Sequence, residues 1–496
     1  MAKTPRHHYN NNWSNCVFCM KKEKWFKATS IVLGTLLITI VGVLSFYILY
    51  NAQWLIGDDA ILINKTGWDI PFTIWGTIQP ELGRFFPFAY LHENLVLLLS
   101  GDTHSAQQHY VINVLLLAVL ITSLTIILFK TIRPTKTIDL LIVFCGVLLC
   151  TGRFYGIYNN VFSTVYNYFS ICSCALMFGI LFYCNKGNKT NIYAILSILF
   201  WMYSTYCLEN AFILPLVLGS VTLLFGYKKL TKEQRIFNFF LIAVALVFLS
   251  IYFFGIYLQK EGTDIYDPAH GTGVTIWENA VNMLKGQKFL LFATIVWLYR
   301  QYILLNKKDT YHIIYDSLLW TAGALLIVNI ILRLNWSMYY YPAIIVALPA
   351  VVYFLNKHFG KISTLIVLVM FMALHSYKIP IVIKENQKNR IDTKQYIDYI
   401  VQQEHLNKDI IWYEIEVTDS TSYDIILRNW KKESLRTYIQ FELKDRNWDF
   451  DEYDNQADCI VLYPKENDMF GNKPLILSEL QPSYSNDIAL YKVSSE

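Results

Sequence analysis

The feature that most constrains this chain is a succession of long apolar runs, about eleven of them, between residues 28 and 380. Of the 496 residues, 54% are hydrophobic and only 16% are charged, whereas a soluble protein carries roughly a quarter charged residues. Runs of this length and polarity are typical of helices that cross a bilayer, so the sequence predicts an α-helical polytopic membrane protein. The runs fall at about 28–50, 109–129, 138–152, 169–184, 192–207, 211–227, 236–258, 289–305, 313–332, 343–355 and 362–380.

Basic residues alternate from loop to loop, and this alternation predicts the orientation of the chain in a plasma (inner) membrane. Every second loop is short and rich in lysine and arginine, whereas the intervening loops carry most of the acidic residues found between residues 28 and 380. By the positive-inside rule, the basic tail at 1–27 is cytoplasmic and the first long loop, at 51–108, lies outside. An odd number of spans then places the C-terminus outside as well. The basic loops are 130–136, 185–189, 228–235, 306–312 and 356–361.

The chain is predicted to have three parts: the tail at 1–27, a transmembrane domain at 28–380 and an extracytoplasmic domain at 381–496. The first run is roughly twice as long as the apolar region of a cleaved signal peptide, so we expect a retained signal anchor. Charge rises from about residue 384 onward, and the long apolar runs end there. This composition predicts a small soluble α/β or α+β domain, with a helix at 393–403 and strands at 409–417 and 458–464.

The first outer loop is the longest, and its second half mixes aromatic and apolar residues with charged ones. The segment at 78–101 is predicted to form one or two amphipathic helices that lie in the membrane interface. Cysteine usage indicates no disulfide framework, because most of the nine cysteines lie inside apolar runs. The C-x-x-C pair at Cys16 and Cys19 lacks a second pair that would complete a zinc site. The net charge of +4 gives no indication of nucleic-acid binding.

Two adjacent carboxylates, Asp58 and Asp59, follow the first span within roughly ten residues. Carboxylates so close to hydrocarbon are costly unless they have a partner or a task, and their depth suits chemistry on a lipid-anchored substrate. The alternative is a loop turn that caps a helix beginning at Ala60, since aspartate is a favoured N-cap residue.

Further polar residues are predicted to lie on the same outer side as the two aspartates. Glu209 is the single carboxylate of a short hairpin between two spans, where it serves a site, pairs with a buried arginine or caps a span. Arg333 ends a span on the side that the positive-inside rule disfavours, so we expect an anionic partner such as a lipid phosphate; the alternative is an interface anchor. The other candidates are Arg84, His92, Glu93, Arg153, His270 and Tyr339.

This arrangement resembles the GT-C superfamily of integral-membrane glycosyltransferases, most of all bacterial members of its glucosyltransferase-like and uncharacterised branches. The resemblance covers about residues 28–380 and depends on the order and sidedness of short motifs. These are D58-D59 in a long first outer loop, the turn G83-R84-F-F-P, the hairpin L208-E209-N, and R333 followed by Y339-Y-Y-P.

The resemblance implies a polyprenyl-phosphate-linked sugar as donor and a catalytic aspartate in the first outer loop. A carboxylate at Asp58 or Asp59 would remove the proton of the acceptor hydroxyl, the acceptor being a glycan, a lipid or a protein. The lipid-phosphate leaving group needs electrostatic stabilisation, for which Arg333, Arg84 and Arg153 are candidates, with Tyr339 beside them. Glu209, His92, Glu93 and His270 are candidates for binding substrate or positioning a divalent Mg²⁺ or Mn²⁺ ion, which nothing in the sequence requires.

Two other functions compete with this one. A lipid-linked glycan ligase or polymerase would be expected to have its large loop late among the spans, whereas here that loop comes first. A transporter or flippase would place polar residues near the bilayer midplane and often shows inverted repeats. The apolar runs here are nearly free of charge, and the sequence has no internal repeat.

Overall fold

The structure is a computed structural model, and it describes residues 12–50, 78–80, 83–100, 105–154, 164–185, 190–259, 275–334 and 337–377. Beyond these it describes positions 398 and 402 and four short strands. The described residues contain the twelve α-helices α1 Asn12–Tyr50, α2 Leu91–Ser100, α3 Ala106–Ile132, α4 Thr137–Phe154, α5 Thr164–Cys184, α6 Thr190–Thr205, α7 Ile213–Gly226, α8 Lys232–Gly255, α9 Ile276–Gly286, α10 Lys288–Leu305, α11 Ile313–Ile331 and α12 Tyr341–Ser376.

Every predicted apolar run coincides with a helix over its described part. Seven helices of the described chain are long and apolar enough to cross a bilayer, and three shorter apolar helices accompany them. The protein is therefore a polytopic helical membrane protein. The last two predicted runs lie in the single element α12, whose helical geometry is interrupted at Gly360 (φ 84°, ψ 171°). Glycine tolerates this backbone conformation because it has no Cβ.

The first half of α12 is the centre of the helical bundle. Every residue from 340 to 352 is buried, and α12 as a whole packs against α3, α4, α5, α10 and α11. Small hydroxyl side chains bond between neighbouring helices: Ser170 Oγ donates to the Leu116 carbonyl at 2.7 Å, and Ser197 Oγ to the Ala175 carbonyl at 2.7 Å. Close packing through small polar residues is typical of helices in lipid, where burial of apolar surface alone gives little driving force.

The described residues of the five basic loops meet at one end of the bundle, which we call the basic end. Lys130 Nζ donates to Asn185 Oδ1 at 3.3 Å, and Lys229 Nζ to the Tyr311 carbonyl at 3.3 Å. The fifth basic loop is joined to the others by the ion pairs Lys361–Asp139 and Lys357–Asp309. The alternation of charge along the sequence therefore corresponds to one end of the folded protein.

A buried arginine ties three helices together at the basic end. Arg300 of α10 is 1% exposed, and its Nε and Nη2 donate to the two carboxylate oxygens of Asp316 in α11 at 2.7 and 3.0 Å. Its Nη1 donates to Asp309 at 2.7 Å, and Asp309 also pairs with Lys357 of α12. Burial raises the pKa of Asp309, but the contacts with Lys357 and Arg300 outweigh it and hold that pKa well below its usual range. Such a bidentate, fully paired arginine is the form in which a buried charge is tolerated.

The opposite end, which we call the hairpin end, begins with two short antiparallel strands, β1 Ile78–Gln79 and β2 Arg84–Phe85. Gly83 turns the chain between them with φ 70°, a conformation that favours glycine. Of the interfacial helices predicted at 78–101, a helix is present over the second half, α2, whereas the described residues of 78–90 form strands and turns instead. That α2 lies in the membrane interface stays a prediction. The aromatic residues of that first half pack inward around the hairpin, which overrides the helical pattern.

The C-terminal segments include four strands: β3 Trp412–Glu414, β4 Asp451–Glu452, β5 Cys459–Pro464 and β6 Ile488–Val493. They form a mixed sheet of order β4-β3-β5-β6, in which β3 is parallel to β4 and β5, and β6 is antiparallel to β5. The strands predicted at 409–417 and 458–464 are present as β3 and β5. The helix predicted at 393–403 lies outside the described residues except at 398 and 402, and the division into three domains stays a prediction.

The orientation of the bundle stays a prediction that reporter fusions test directly. A reporter active only outside the cytoplasm should be active after Glu496 and inactive after Lys232, which begins α8 at the basic end. A cytoplasmic reporter at the same positions should give the reverse pattern. If the reporter after Glu496 were cytoplasmic, the C-terminal segments and the hairpin end would not share a face of the membrane.

Candidate active site at the hairpin end

The G83-R84-F-F-P turn lies against the Glu209 hairpin, although the two are more than a hundred residues apart in sequence. The Phe85 amide donates to Glu209 Oε1 at 3.4 Å, and the Phe88 amide donates to the Tyr206 carbonyl at 3.0 Å. Tyr252 at the end of α8 donates its hydroxyl to the Gly83 carbonyl at 3.1 Å. The half-buried Glu209 carboxylate therefore accepts from the backbone of the strand that carries Arg84.

Packed aromatic side chains hold the G83-R84-F-F-P turn against the Glu209 hairpin. Phe85 is 6% exposed, and its ring centroid lies 5.6 Å from that of Phe248 and 5.9 Å from that of Tyr206. Phe212 stacks on Phe248 from the other side. Aromatic contacts at these separations are favourable, so the position of the hairpin is set by packing against α8.

The Glu209 turn is also hydrogen-bonded to the end of α11. Residues Glu209–Phe212 form a 3₁₀ turn, in which Asn210 is buried and donates Nδ2 to Asn329 Oδ1 at 2.8 Å. Asn329 Nδ2 donates to the Tyr339 carbonyl at 2.7 Å. Tyr340 donates its hydroxyl to the Leu334 carbonyl. Three of the four motifs identified in the sequence thus meet at one place in the fold.

Arg333 occupies an unusual backbone position at the end of α11. It has φ 54°; the Arg333 amide donates to the Ile330 carbonyl at 3.1 Å and the Leu334 amide to the Asn329 carbonyl at 2.9 Å. This pair of bonds is the Schellman motif, whose left-handed residue is usually glycine because a Cβ costs about 1–2 kcal/mol there. Arg133 and Lys307 have the same left-handed conformation, so what distinguishes Arg333 is its place at the hairpin end rather than its backbone.

A second polar cluster at the hairpin end joins α2 to α3. Glu93 and His109 are fully buried, His109 Nδ1 is hydrogen-bonded to Glu93 Oε2, and His92 Nε2 lies 3.2 Å from Glu93 Oε1. Burial raises the pKa of Glu93, but the interactions with His92 and His109 outweigh it and lower that pKa from 4.5 to about 2. Glu93 is therefore ionised at neutral pH, and its carboxylate faces two imidazoles in the interior.

The remaining candidates are not fully described. Asp58, Asp59 and His270 lie outside the described residues, and of Arg84 and Arg153 the structure describes the backbone, in β2 and in the last turn of α4. Tyr339 is half-buried in a 3₁₀ turn, Ser337–Tyr340. Within the described ranges, no three His, Cys, Asp or Glu side chains are grouped so as to hold a metal ion. The predicted metal-positioning role of Glu209, His92 and Glu93 stays a prediction.

Several polar residues of this end were missed by the sequence analysis. Asn210, Asn279, Asn329 and His109 are buried, and each has a polar contact with another element. Asn279 of α9 donates Nδ2 to the Ile330 carbonyl at 3.2 Å, beside the Arg333 turn. The available signal was the presence of amide and imidazole side chains within or next to apolar runs, where they are costly unless paired.

The fold is similar to that of solved membrane proteins. The chain matches the structure of ArnT from Cupriavidus metallidurans bound to undecaprenyl phosphate with a TM-score of 0.53 and 12% identity, over 92% of this chain and 97% of that one. It matches apo ArnT with a TM-score of 0.51 over the same shares, again at 12% identity. An oligosaccharyltransferase from Archaeoglobus fulgidus matches at a TM-score of 0.41 and 12% identity, over 81% of this chain and 61% of that one. No family model and no curated protein matches the sequence.

The chain therefore shares the fold of ArnT, and at the level of the fold this agrees with the resemblance seen in the sequence. The similarity extends over nearly the whole of both chains, so it includes more than the helical bundle alone.

Proposed function

We propose that this protein transfers a sugar from a polyprenyl-phosphate-linked donor to a glycan, lipid or protein acceptor on the extracytoplasmic face of the membrane. The observation that carries the proposal is the meeting of the Arg84 strand, the Glu209 turn and the Arg333–Tyr340 stretch at the hairpin end. ArnT, whose fold this chain shares, was crystallised with undecaprenyl phosphate, which supports a lipid phosphate as the group to be bound.

In the proposed reaction, arginines stabilise the leaving group and an aspartate removes the proton of the acceptor. The leaving group is a lipid phosphate, which is already an anion at neutral pH, so it needs electrostatic stabilisation more than a proton. Arg333 supplies a planar, always charged fork that suits a phosphate, with Arg84 and Arg153 as further cations at the same end. Asp58 or Asp59 acts as the general base toward the acceptor hydroxyl. A bound divalent ion, if this protein uses one, would neutralise further charge on the donor.

The described spans support transfer over transport. Arg300 and Asp316, which lie within described spans, are paired with each other at the basic end, and the polar contacts of the candidate site lie at the opposite end. A transporter would be expected to carry such residues near the midplane, between two similar halves. The ligase or polymerase alternative shares the lipid-phosphate chemistry and differs in its acceptor, so an acceptor assay separates it.

A binding experiment tests the proposal. The purified protein in detergent should bind undecaprenyl phosphate, and undecaprenol, which has the same chain without the phosphate, should bind much more weakly. Competition against a photoreactive polyprenyl phosphate measures both. Equal competition by the two lipids would show that the phosphate is not recognised and would contradict the proposal.

Arg333→Gly removes the arginine side chain and preserves the backbone conformation of the turn, so it tests the side chain alone. Glycine is favoured at the left-handed position of a Schellman motif, so the variant should unfold at the same or a higher temperature. Its affinity for undecaprenyl phosphate should fall roughly 10- to 100-fold, because a charge-assisted hydrogen bond contributes about 1.5–3 kcal/mol. Arg333→Lys should recover only part of the affinity, since a point charge replaces the fork.

The chain offers a matched control for this substitution. Lys307 occupies the same position at the end of α10, with φ 53° and with the Lys307 and Lys308 amides bonded to the Leu304 and Ile303 carbonyls. It lies at the basic end, so Lys307→Gly should have the same effect on stability and leave the affinity unchanged. Loss of affinity in both variants, or in neither, would remove Arg333 from the proposed phosphate site.

A further inference from the structure

Asn329 forms hydrogen bonds with three elements of the hairpin end: the Glu209 turn, the Tyr339–Tyr340 segment and the turn at Arg333. It lies in the last turn of α11 and is fully buried. Its Oδ1 accepts from Asn210 Nδ2 at 2.8 Å, and its Nδ2 donates to the Tyr339 carbonyl at 2.7 Å. Its own carbonyl accepts from the Leu334 amide at 2.9 Å, one of the two bonds that form the turn at Arg333.

The side-chain amide of Asn329 faces a hydrogen-bond donor on one side and an acceptor on the other. Asn210 presents a donor to Asn329, and the Tyr339 carbonyl requires a donor from it. A carboxamide supplies one acceptor and two donor hydrogens in one rigid group, whereas an apolar side chain of similar size would lose both of these hydrogen bonds. The side-chain type is therefore dictated by the two elements that it connects.

We propose that Asn329 is a positioning residue, which fixes the Arg333 turn relative to the Glu209 turn and to the Tyr339–Tyr340 segment. The proposal rests on the function proposed above and adds a residue that does not itself contact the donor. It follows from geometry: the residue whose carbonyl forms the Arg333 turn is also the residue whose side chain joins that turn to the other two elements.

Asn279 supports the Arg333 turn from a second direction. It is fully buried in the amphipathic helix α9, and its Nδ2 lies 3.2 Å from the Ile330 carbonyl and 3.4 Å from the Asn329 carbonyl. These are the two carbonyls that also accept from the Arg333 and Leu334 amides. Carbonyls with two partners have little freedom to tilt, so the direction in which the Arg333 side chain leaves the helix is restricted.

A thermodynamic cycle tests the role of Asn329. Asn329→Asp keeps the shape and the acceptor for Asn210 and replaces the donor that faces the Tyr339 carbonyl by an oxygen. In the otherwise wild-type protein it should lower the affinity for undecaprenyl phosphate about tenfold. In the Arg333→Gly background the same substitution should change the affinity by less than about twofold, because it acts through Arg333.

The control is Asn238→Asp, another buried asparagine, which bonds Tyr183 and the Gln234 carbonyl away from the site. It should leave the affinity unchanged. Asn210→Ala, which removes the same connection without introducing a carboxyl group, should show the same dependence on Arg333 and serves if Asn329→Asp does not fold. Equal losses of affinity with and without the Arg333 side chain, or no loss at all, would overturn the proposal.

Hydrogen exchange separates this proposal from the proposed function. Asn329→Asp should speed amide exchange in residues 328–341 and leave residues 300–312, around the equivalent turn at Lys307, unchanged. If the wild-type protein did not prefer undecaprenyl phosphate to undecaprenol, the proposed function would be wrong, while the exchange measurement would still test the connection. Unchanged exchange in 328–341 would overturn the positioning role whatever the lipid result.

Discussion

Asp58→Asn and Asp59→Asn proteins should insert and fold like the wild type, and at least one should lose sugar transfer from a polyprenyl-phosphate donor roughly 100- to 10,000-fold. Asparagine keeps nearly the shape of aspartate but removes its charge and basicity, and loss of a general base typically has an effect of this size. The prediction comes from the sequence: paired carboxylates follow the first span in the loop that leads to the Arg84 strand.

The measurement is transfer of a radiolabelled sugar to endogenous acceptors in membranes, at matched protein levels. Asp69→Asn is the control, because Asp69 lies in the same loop and belongs to none of the motifs. Its transfer rate should equal that of the wild type. Transfer at the wild-type rate by both single variants and by the double variant would mean that the two carboxylates only cap a loop.

The helical bundle could be predicted from the sequence because membrane spans are defined by properties of the chain alone. Length and polarity identify each run without reference to its neighbours, and α3, α8 and α11 coincide with the predicted runs to within a few residues. The charge alternation also predicted that the basic loops lie together at one end of the bundle; the side of the membrane that this end faces stays a prediction. The ends of the spans were less predictable from the sequence. Two predicted runs, for example, lie within one element that is interrupted at Gly360.

The contacts within the candidate site could not be predicted in the same way. The bond between Phe85 and Glu209 and the bond between Asn210 and Asn329 each join residues more than a hundred positions apart. Nothing local distinguishes Asn329 from an asparagine that faces another span or a lipid. The left-handed conformation of Arg333 was also hidden, because sequence patterns associate that position with glycine.

The first outer loop shows how packing overrides a local pattern. The mixture of aromatic and charged residues at 78–90 suits an interfacial helix, yet Phe85 and Gly83 lie in a hairpin held by Phe248 and Tyr252. The burial of Glu93 was likewise not visible in the sequence, because the structure places it in the interior against two imidazoles. Its predicted role in binding substrate or positioning a metal ion stays a prediction.

Glu93→Gln should lower the free energy of unfolding by about 3 kcal/mol, a large effect for a single substitution. The carboxylate is fully buried between His92 and His109, and the substitution replaces the charged acceptor of both contacts by a neutral one. Unfolding of the purified protein in detergent measures the change. Glu233→Gln is the control, since Glu233 is exposed on α8 and should affect stability little.

The same pairing predicts the acid dependence of stability. Glu93 has a pKa of about 2 in the folded protein, lowered from 4.5, so its ionised form favours the folded state. Its contribution is fully present above about pH 4.5 and is lost as the pH falls toward about 2. Unfolding measured across this interval should be less pH-dependent in Glu93→Gln than in the wild type, because the substituted side chain does not titrate.

A double substitution distinguishes a specific pair from a general need for polarity at this position. Glu93→Leu and His109→Leu should each destabilise the protein strongly, because each removes one side of a buried polar contact. The double variant should be more stable than either single variant, since two apolar side chains can pack where α2 meets α3. If the double variant instead lost the sum of the two single effects, Glu93 and His109 would act independently, and the attachment of α2 to the bundle would depend on other contacts.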